Sequence, residues 1–388
     1  MMNFILSDFN KHQKFLPLTF TRALADYRIG ILTLKEKWEF YLNQKVSVLT
    51  QEYLQAKYSL KIENENIVIN AQIIPNPELV GEILKLKDAC LVKDENIIAY
   101  SCSDNLEDIP KTKIEFKGEV LIINSNTDVF TFNGELIKQD FDIITKGRKS
   151  QKLSSTNTVF GKYPVFVEEG CFVECASINT NDGPVYIGKN AKIMEGSHIR
   201  GAFAICENSE LKMGAKIYGP TTIGPSCKVG GEINNSVFFA HSNKAHDGFL
   251  GNSVIGEWCN LGADSNNSNL KNNYAIVKLW DYEKERFVST GLQFCGLIMG
   301  DHSKCGINTM FNTGTVVGVS ANIFGAGFPR NFIPSFSWGG HAGLSVYKTE
   351  TAFEVMTKVM ERRNVQLTEI DKQILAHVFD ITAKYRNF

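Results

Sequence analysis

No stretch of this sequence stays apolar for the about 18 residues that a membrane-crossing helix requires. Its opening, MMNFILSDFNKHQKF, has too short an apolar run and too early an aspartate for a signal peptide. The expectation is therefore a cytoplasmic protein with no membrane span. Net charge is nearly absent as well: 41 basic and 42 acidic residues leave a formal charge of -1, so the chain lacks the basic footprint of a nucleic-acid binder. Its 9 cysteines form no CxxC pair, Cys171 and Cys175 coming closest. Reduced, packed thiols are expected in place of a disulfide framework or a metal site. At 388 residues the chain exceeds one ordinary core, and two or three modules are expected.

What the sequence does have is a period of six. Ile187, Ile193, Ile199, Ile205, Leu211, Ile217, Ile223 and Val229 are spaced six apart. Neither a helix nor an ordinary strand repeats at that interval, whereas a coil of short parallel strands joined by tight corners does. Four residues after each aliphatic stand Ala191, Ser197, Phe203, Ser209, Ala215, Thr221 and Cys227, mostly small, as a second inward position near a cramped corner requires. The frame returns at Phe249, Ile255 and Leu261, and again at Met299, Cys305, Phe311, Val317 and Ile323. Between these runs it slips, so loops must leave the coil there. A β-sandwich is the competing reading, but its strands alternate at two and are spaced unevenly.

Three segments follow from this pattern. Residues 1–150 read as a small α/β domain, with strands at Phe4–Leu6, Val46–Leu49, Ile67–Ile69 and Leu121–Ile123 and a helix over Leu32–Leu42. Residues 151–335 are the repeat, interrupted at 231–248 and by a polar and aromatic excursion at 270–294 of the length that covers a site or a neighbouring subunit. Residues 336–388 form a helical tail in which Phe353, Met356 and Met360 share one face. Leu367, Ile370, Ile374, Val378 and Ile381 form a second stripe, opened by a capping box at Thr368 and Asp371.

The interior of such a coil is filled by its own side chains, so chemistry must sit on its faces, in its loops or between copies. The slip at 231–248 carries two of the 7 histidines. His246 stands in a polar, glycine-flanked stretch between Lys244 and Asp247, a poor setting for core packing. An imidazole there, with an unperturbed pKa of about 6.5, can serve as a general base.

The hexapeptide run, the KAHDGFLG stretch and the following IGEWCNLGADSNNSN resemble the left-handed β-helix acetyltransferase half of the bifunctional UDP-N-acetylglucosamine diphosphorylase/glucosamine-1-phosphate N-acetyltransferase family. Over nearly the whole chain the similarity is to a variant of that family in Bacteroidetes, also described as a glucose-1-phosphate or sugar-nucleotide nucleotidyltransferase. The segment LPLTFTRALADYRIGILTLKEKW is similar to that variant's N-terminal signature. The resemblance implies a left-handed coil, a hand that spacing does not carry and that runs against the usual crossover rule. It also implies a homotrimer, acetyl-CoA as donor and an amino-sugar phosphate or nucleotide sugar as acceptor. On it His246 matches the catalytic base, and Asn260 and Asn269 match asparagines that line the sugar and acetyl sites. The asparagines have a structural alternative as turn residues.

Departures from the family matter. A sugar-phosphate tyrosine is Phe249 here, and a phosphate-gripping arginine and lysine are Tyr218 and Asn234. An amide or a phenol gives a hydrogen bond but no charge, so a dianion is left poorly compensated unless Lys216 or Lys244 substitutes. Arg330, in GFPRNF after the last coil, is the expected CoA-phosphate contact, with a solvated surface arginine as its alternative. A nucleotidyltransferase needs a glycine-rich loop, a following arginine and lysine, and a magnesium-holding aspartate. Before residue 30 there is no glycine. What remains is Asp8 after the first strand, Arg22 as counterpart of the loop arginine, and Asn70-Ala71 where the family has Gly-Asp. Asp128 and Asn133, in NTDVFTFNGE, resemble the motif that closes such domains, or act as a helix cap and a turn.

The reading is a CoA-dependent acyltransferase with a reduced nucleotidyltransferase-like α/β domain, a left-handed parallel β-helix and a helical tail. Magnesium enters only if the α/β domain transfers nucleotides. The alternatives are sugar-1-phosphate nucleotidyl transfer through that domain, and a non-catalytic trimeric scaffold that binds sugar nucleotides.

Overall fold

The computed structural model describes residues 2–388 and divides into two compact units. The first runs to Phe15 and adds Thr21–Tyr27 and Leu32–Ser125; the second comprises Leu16–Phe20, Arg28–Ile31 and Asn126–Phe388.

The first unit is a six-stranded sheet of β1 (Asn3–Ser7), β2 (Ser47–Leu49), β3 (Asn66–Asn70), β4 (Cys90–Lys93), β5 (Asn96–Cys102) and β6 (Lys113–Glu115), ordered β2-β1-β3-β5-β4-β6. β1 pairs in parallel with both β2 and β3, and β5 runs antiparallel to β3 and β4. All five residues of β1 are buried, as a central strand covered on both faces requires. Helix α1 (Leu34–Leu42) starts at a capping box in which Thr33 and Glu36 exchange side-chain and backbone hydrogen bonds. Its Trp38 is fully buried and donates its indole N–H to the Ile73 carbonyl at 3.0 Å. Two short helices follow, α2 (Glu52–Gln55) and α3 (Pro77–Ile83). The strand expected at Leu121–Ile123 is reduced to an isolated bridge between Ile73 and Ile122.

The second unit is a parallel β-solenoid whose coils contribute short strands to three faces. The first face holds six strands from Thr158–Phe160 to Phe249–Gly251, the second nine from Val165–Val167 to Phe332–Ile333, and the third ten from Phe172–Val173 onward. The period of six maps directly onto this stack: Ile187 lies beside Ile205, Ile205 beside Ile223, Ile223 beside Phe238, and Phe238 beside Ile255. Each of these side chains is fully buried. A buried aliphatic contributes about 1.5–3 kcal/mol of transfer free energy, so a column of them fixes register far more strongly than the short ladders alone. One position departs from the expected frame. Phe249 is only half-buried and faces outward, and Leu250 fills the interior in its place.

Helices α4 (Asn126–Thr131) and α5 (Asn133–Thr145), which the expected boundary near residue 150 groups with the α/β domain, pack within the second unit. Asn133 explains this. Its Oδ1 accepts from Gly30 N–H and the Thr222 hydroxyl, and its Nδ2 donates to the Pro220 carbonyl. Asp140 Oδ2 accepts from Ile31 N–H at 2.7 Å.

The excursion at 270–294 is a β-hairpin of Lys278–Asp281 paired with Arg286–Ser289. Trp280 stacks on Phe332 with ring centroids 4.2 Å apart, and Glu285 pairs with Lys384 and Tyr385. The hairpin is thus held by the last coil and the C-terminal end of its own chain. Helices α6 (Thr349–Glu361) and α7 (Glu369–Ile381) close the chain. The Thr368–Asp371 capping box is formed. Met356 and Met360 are buried, as are Leu367, Ile374 and Val378, while Ile370 and Ile381 at the edges of their stripe are exposed. Arg363 donates to the Ser226 carbonyl and to Asn243 Oδ1, tying this tail to the third face. No helix of the described residues is long and apolar enough to cross a membrane.

Candidate functional site

His246 sits on the corner that joins the third-face strand Asn243–Lys244 to the first-face strand Phe249–Gly251. His246 and Asp247 are exposed, and among the described residues the imidazole makes no hydrogen bond or ion pair. The corner one coil earlier is shorter. Val229 and Ile233 are four positions apart, whereas Leu211 and Ile217, and Lys244 and Leu250, are six apart. Gly230 and Gly231 occupy the shortened corner, and Gly231 has a φ of +73°. A Cβ there would stand 2.8 Å from the carbonyl oxygens of both His246 and Gly248. The shortened glycine corner therefore lets the backbone of the His246 corner pack directly against it, where a Cβ at Gly230 would lie 2.5 Å from the Ala245 carbonyl oxygen.

Lys244 does not offer the surface cation expected of it. It is fully buried, and its Nζ donates to the carbonyls of His246 at 2.5 Å and Asp247 at 2.8 Å. Desolvation pushes its pKa down to about 8, opposed by the nearby Asp247 carboxylate.

Asn260 and Asn269 flank the corner one coil further on. Asn260 is an exposed third-face residue whose Oδ1 accepts from Asn243 Nδ2 at 3.4 Å. Asn269 follows the strand Asn266–Asn267 and donates to Asn252 Oδ1 at 2.7 Å. Phe249 faces outward, its backbone N–H held by Asn266 Oδ1 at 2.8 Å. Arg330 is exposed on the loop after Ile323.

On the first face, the coils preceding His246 form an open groove of about 620 Å³. His198, Arg200 and Lys216 supply cationic or titratable groups to it, with Tyr218, Asn234 and Phe160 beside them. Tyr218 and Asn234 are register neighbours, and Asn234 in turn lies beside Gly251. The Tyr218 hydroxyl donates to Glu232 Oε1 at 2.5 Å; desolvation and this carboxylate push its pKa up to about 12. Arg200 is 3.8 Å from Asp182. With parallel strands about 4.8 Å apart, Arg200 lies about 14 Å along the face from Gly251. The sequence reading missed His198, Arg200 and Glu232. Arg200 stands eighteen positions before Tyr218, so extending the repeat by one coil would have found it.

The first unit has its own pocket, of about 440 Å³, at the carboxyl ends of β1 and β2, where open α/β sheets bind ligands. Asp8 stands at its base, 2% exposed. Its Oδ1 accepts from Leu24 N–H at 3.0 Å and its Oδ2 from the Thr50 hydroxyl at 2.6 Å. Desolvation raises its pKa to about 6 against these hydrogen bonds. Ser7, Phe9, Tyr100, Leu106, Glu107 and Ile109 contribute to the lining, which includes no lysine or arginine. Arg22 is buried. Asn70 is committed to a turn, accepting from Gln72 N–H and donating to the Ile97 carbonyl. Magnesium does not fit these donors: Asp8's oxygens already have partners, Asn70 brings no charge, and no trio of His, Cys, Asp or Glu among the described residues is arranged to hold a metal ion.

Residues 4–149 match the family described as sugar nucleotidyl transferase. A bifunctional sugar-1-phosphate nucleotidylyltransferase/acetyltransferase of Sulfurisphaera tokodaii is 24% identical over 334 residues, covering 75% of this chain and 82% of that protein. Bifunctional protein GlmU of Methanocaldococcus jannaschii is 33% identical over 87 residues, 22% of this chain and 21% of that protein. A solved UDP-N-acetylglucosamine acyltransferase, LpxA of Bacteroides fragilis, aligns at 13% identity and a TM-score of 0.27, covering 58% of this chain and 96% of its own. Over most of its length the chain is thus similar to a bifunctional sugar-1-phosphate nucleotidylyltransferase/acetyltransferase, and residues 4–149 match the sugar nucleotidyl transferase family.

Proposed function

We propose that the solenoid is a CoA-dependent acyltransferase that acetylates the amine of a phosphorylated amino sugar or a nucleotide sugar, with His246 as general base. The observation that carries this reading is the exposed imidazole, without a hydrogen bond among the described residues, on a corner pinned from within. A neutral imidazole takes the proton from the amine as its nitrogen attacks the thioester carbonyl. The imidazolium then returns that proton to the departing CoA thiolate, so the histidine ends as it began. A backbone N–H or polar side chain at the corner stabilises the oxyanion.

Asn260, Asn269 and Phe249 are the residues we assign to the sugar, and Arg330 to a CoA phosphate. The groove cations Arg200 and Lys216 compensate the acceptor's phosphate charge in place of the expected arginine and lysine. A homotrimer would bring a second copy to the exposed corner and complete the acceptor and CoA sites. The cysteines, all free thiols, fit the reducing cytoplasm in which acetyl-CoA is available. The acetyltransferase half of the name of the relative from Sulfurisphaera tokodaii supports the same chemistry. To test it, acetyl-CoA is incubated with glucosamine 1-phosphate and then with a panel of amino-sugar nucleotides, and free CoA is measured. Release no greater than that of a His246→Ala control with any acceptor overturns the reading and leaves a sugar-nucleotide-binding scaffold.

Sugar-1-phosphate nucleotidyl transfer by the first unit is a second reading, supported by the family match of residues 4–149. Against it stand the cation-poor pocket and the committed Asn70. Pyrophosphate-dependent breakdown of UDP-N-acetylglucosamine or dTDP-glucose with magnesium, unaffected by His246→Ala, is the result that would establish it.

A further inference from the structure

The inner column of the third face reads Ile193, Leu211, Val229, Lys244, Leu261 and Cys305. Five of these residues are apolar fillers. The sixth is a lysine, fully buried, its Nζ held by the two carbonyls of the following corner. Placing an ammonium inside a coil is unfavourable unless its protons find partners, so the column gives no packing reason for it.

The corner itself supplies the reason. In the coils of Ile193, Leu261 and Cys305 the residue four positions after the inward one carries a hydroxyl that donates to a corner carbonyl, although in the coil of Leu211 that residue is Ala215. Ser197 donates to Met194 at 2.8 Å, Thr309 to Gly306 at 2.8 Å, and Ser265 to Gly306 at 3.3 Å. In the coil of His246 that residue is Gly248, whose φ is +111° and whose added Cβ would lie 2.2 Å from the Ser265 carbonyl oxygen. No hydroxyl can be placed there; the Asp247 carbonyl also accepts from the Asp264 N–H at 3.0 Å, whereas for the His246 carbonyl the Lys244 ammonium is the donor. Buried carbonyls without donors are costly, and a corner that has lost them drifts.

We propose that Lys244 is a positioning residue: from inside the coil its ammonium fixes the carbonyls of His246 and Asp247, so that the corner, seated against Gly230 and Gly231, projects the imidazole outward. The two carbonyl bonds give the hold direction as well as strength, because a charged donor makes shorter and stronger hydrogen bonds than a hydroxyl. The consequence for turnover rests on the reading of His246 as base; the hold on the corner does not.

The test uses Lys244→Leu, the residue that the column carries at Leu211 and Leu261, with Lys244→Met as a second variant that keeps the length of the side chain. Amide exchange of residues 245–248, followed by mass spectrometry, should quicken about tenfold or more in both variants while residues 254–261 keep their protection. The melting temperature should hold or rise. With an acceptor found as above, kcat should fall about tenfold or more at nearly constant KM, because the substrate contacts remain and only the base is displaced. Unchanged exchange at 245–248 in either folded variant overturns the proposal. Full turnover by His246→Ala overturns the base assignment instead, and the exchange result still decides what Lys244 does.

Discussion

Asp8 in the α/β unit and Lys244 in the solenoid are both buried ionisable groups at the carboxyl end of a strand, each held by groups of opposite polarity. Asp8 accepts from the Leu24 N–H and the Thr50 hydroxyl; Lys244 donates to the His246 and Asp247 carbonyls. What lies beyond each differs. Past Asp8 is a pocket of aromatic, aliphatic and acidic side chains with no lysine or arginine. Past Lys244 is an exposed imidazole and, further along the same unit, a groove with Arg200 and Lys216. A buried charge on its own therefore says little about function. On the proposed function, the chemistry belongs where such a charge supports an outward-facing group that has no partner of its own.

The sharpest way to break this comparison is to remove the outward group. His246→Ala should cost about 10²–10⁴-fold in kcat for CoA release, the usual contribution of a positioned general base, with no loss of melting temperature. Asp8→Asn should leave that rate unchanged in the same assay. A large loss from Asp8→Asn and none from His246→Ala would reverse the assignment of chemistry to the two regions. The next effect concerns what holds the solenoid rigid. Phe203 is fully buried beside Val185 and Thr221 in the second face. Phe203→Ala should destabilise the protein by about 3–5 kcal/mol in urea unfolding, through lost burial plus the cavity left behind.

The solenoid was legible because its core is one-dimensional. Each coil touches mainly its neighbours, so a local period of six reports the packing of Ile187 on Ile205 and of Ile205 on Ile223. Legibility failed where the frame slips. From Val229 the corner shortens, and Leu250 and Ile255 are only five apart, so counting back six from Ile255 puts Phe249 inside and hides Lys244; counting back six from Leu250 would have shown that Lys244 points inward. A buried lysine is invisible to composition, which treats every lysine as surface. The packing of helices α4 and α5 was hidden for another reason: although the family match also runs to residue 149, their contacts are set by Asn133 and Asp140 reaching Gly30, Thr222 and Ile31, distant in sequence. At the corner itself, His246 stood out as a histidine among polar and glycine neighbours. The cations of the groove did not, because Arg200 and Lys216 become neighbours of one cleft only once the coils are stacked.

The smallest expected effects, of similar size and opposite sign in pH, come from the two buried charges themselves. Lys244 has its pKa depressed from 10.5 to about 8. Between these values the unfolded chain binds the extra proton, so this lysine's contribution to stability rises with pH across that window, and below it the full cost of burying the ammonium is present. Asp8 has its pKa raised from 3.8 to about 6. Here the folded chain binds the extra proton, so stability falls as pH rises through that lower window, and above it the full cost of the buried carboxylate remains. Each shift corresponds to about 3 kcal/mol, as an upper figure. Melting temperatures measured against pH should therefore show the gain from Lys244→Leu shrinking as pH rises from 8 towards 10.5. The gain from Asp8→Asn should shrink as pH falls from 6 towards 4. Because the two windows do not overlap, each slope can be read without the other. A flat Lys244→Leu difference above pH 8 would mean that the two carbonyl bonds repay the desolvation in full. In that case the lysine holds its corner at no cost to the fold, and its resemblance to Asp8 as a destabilising buried charge ends there.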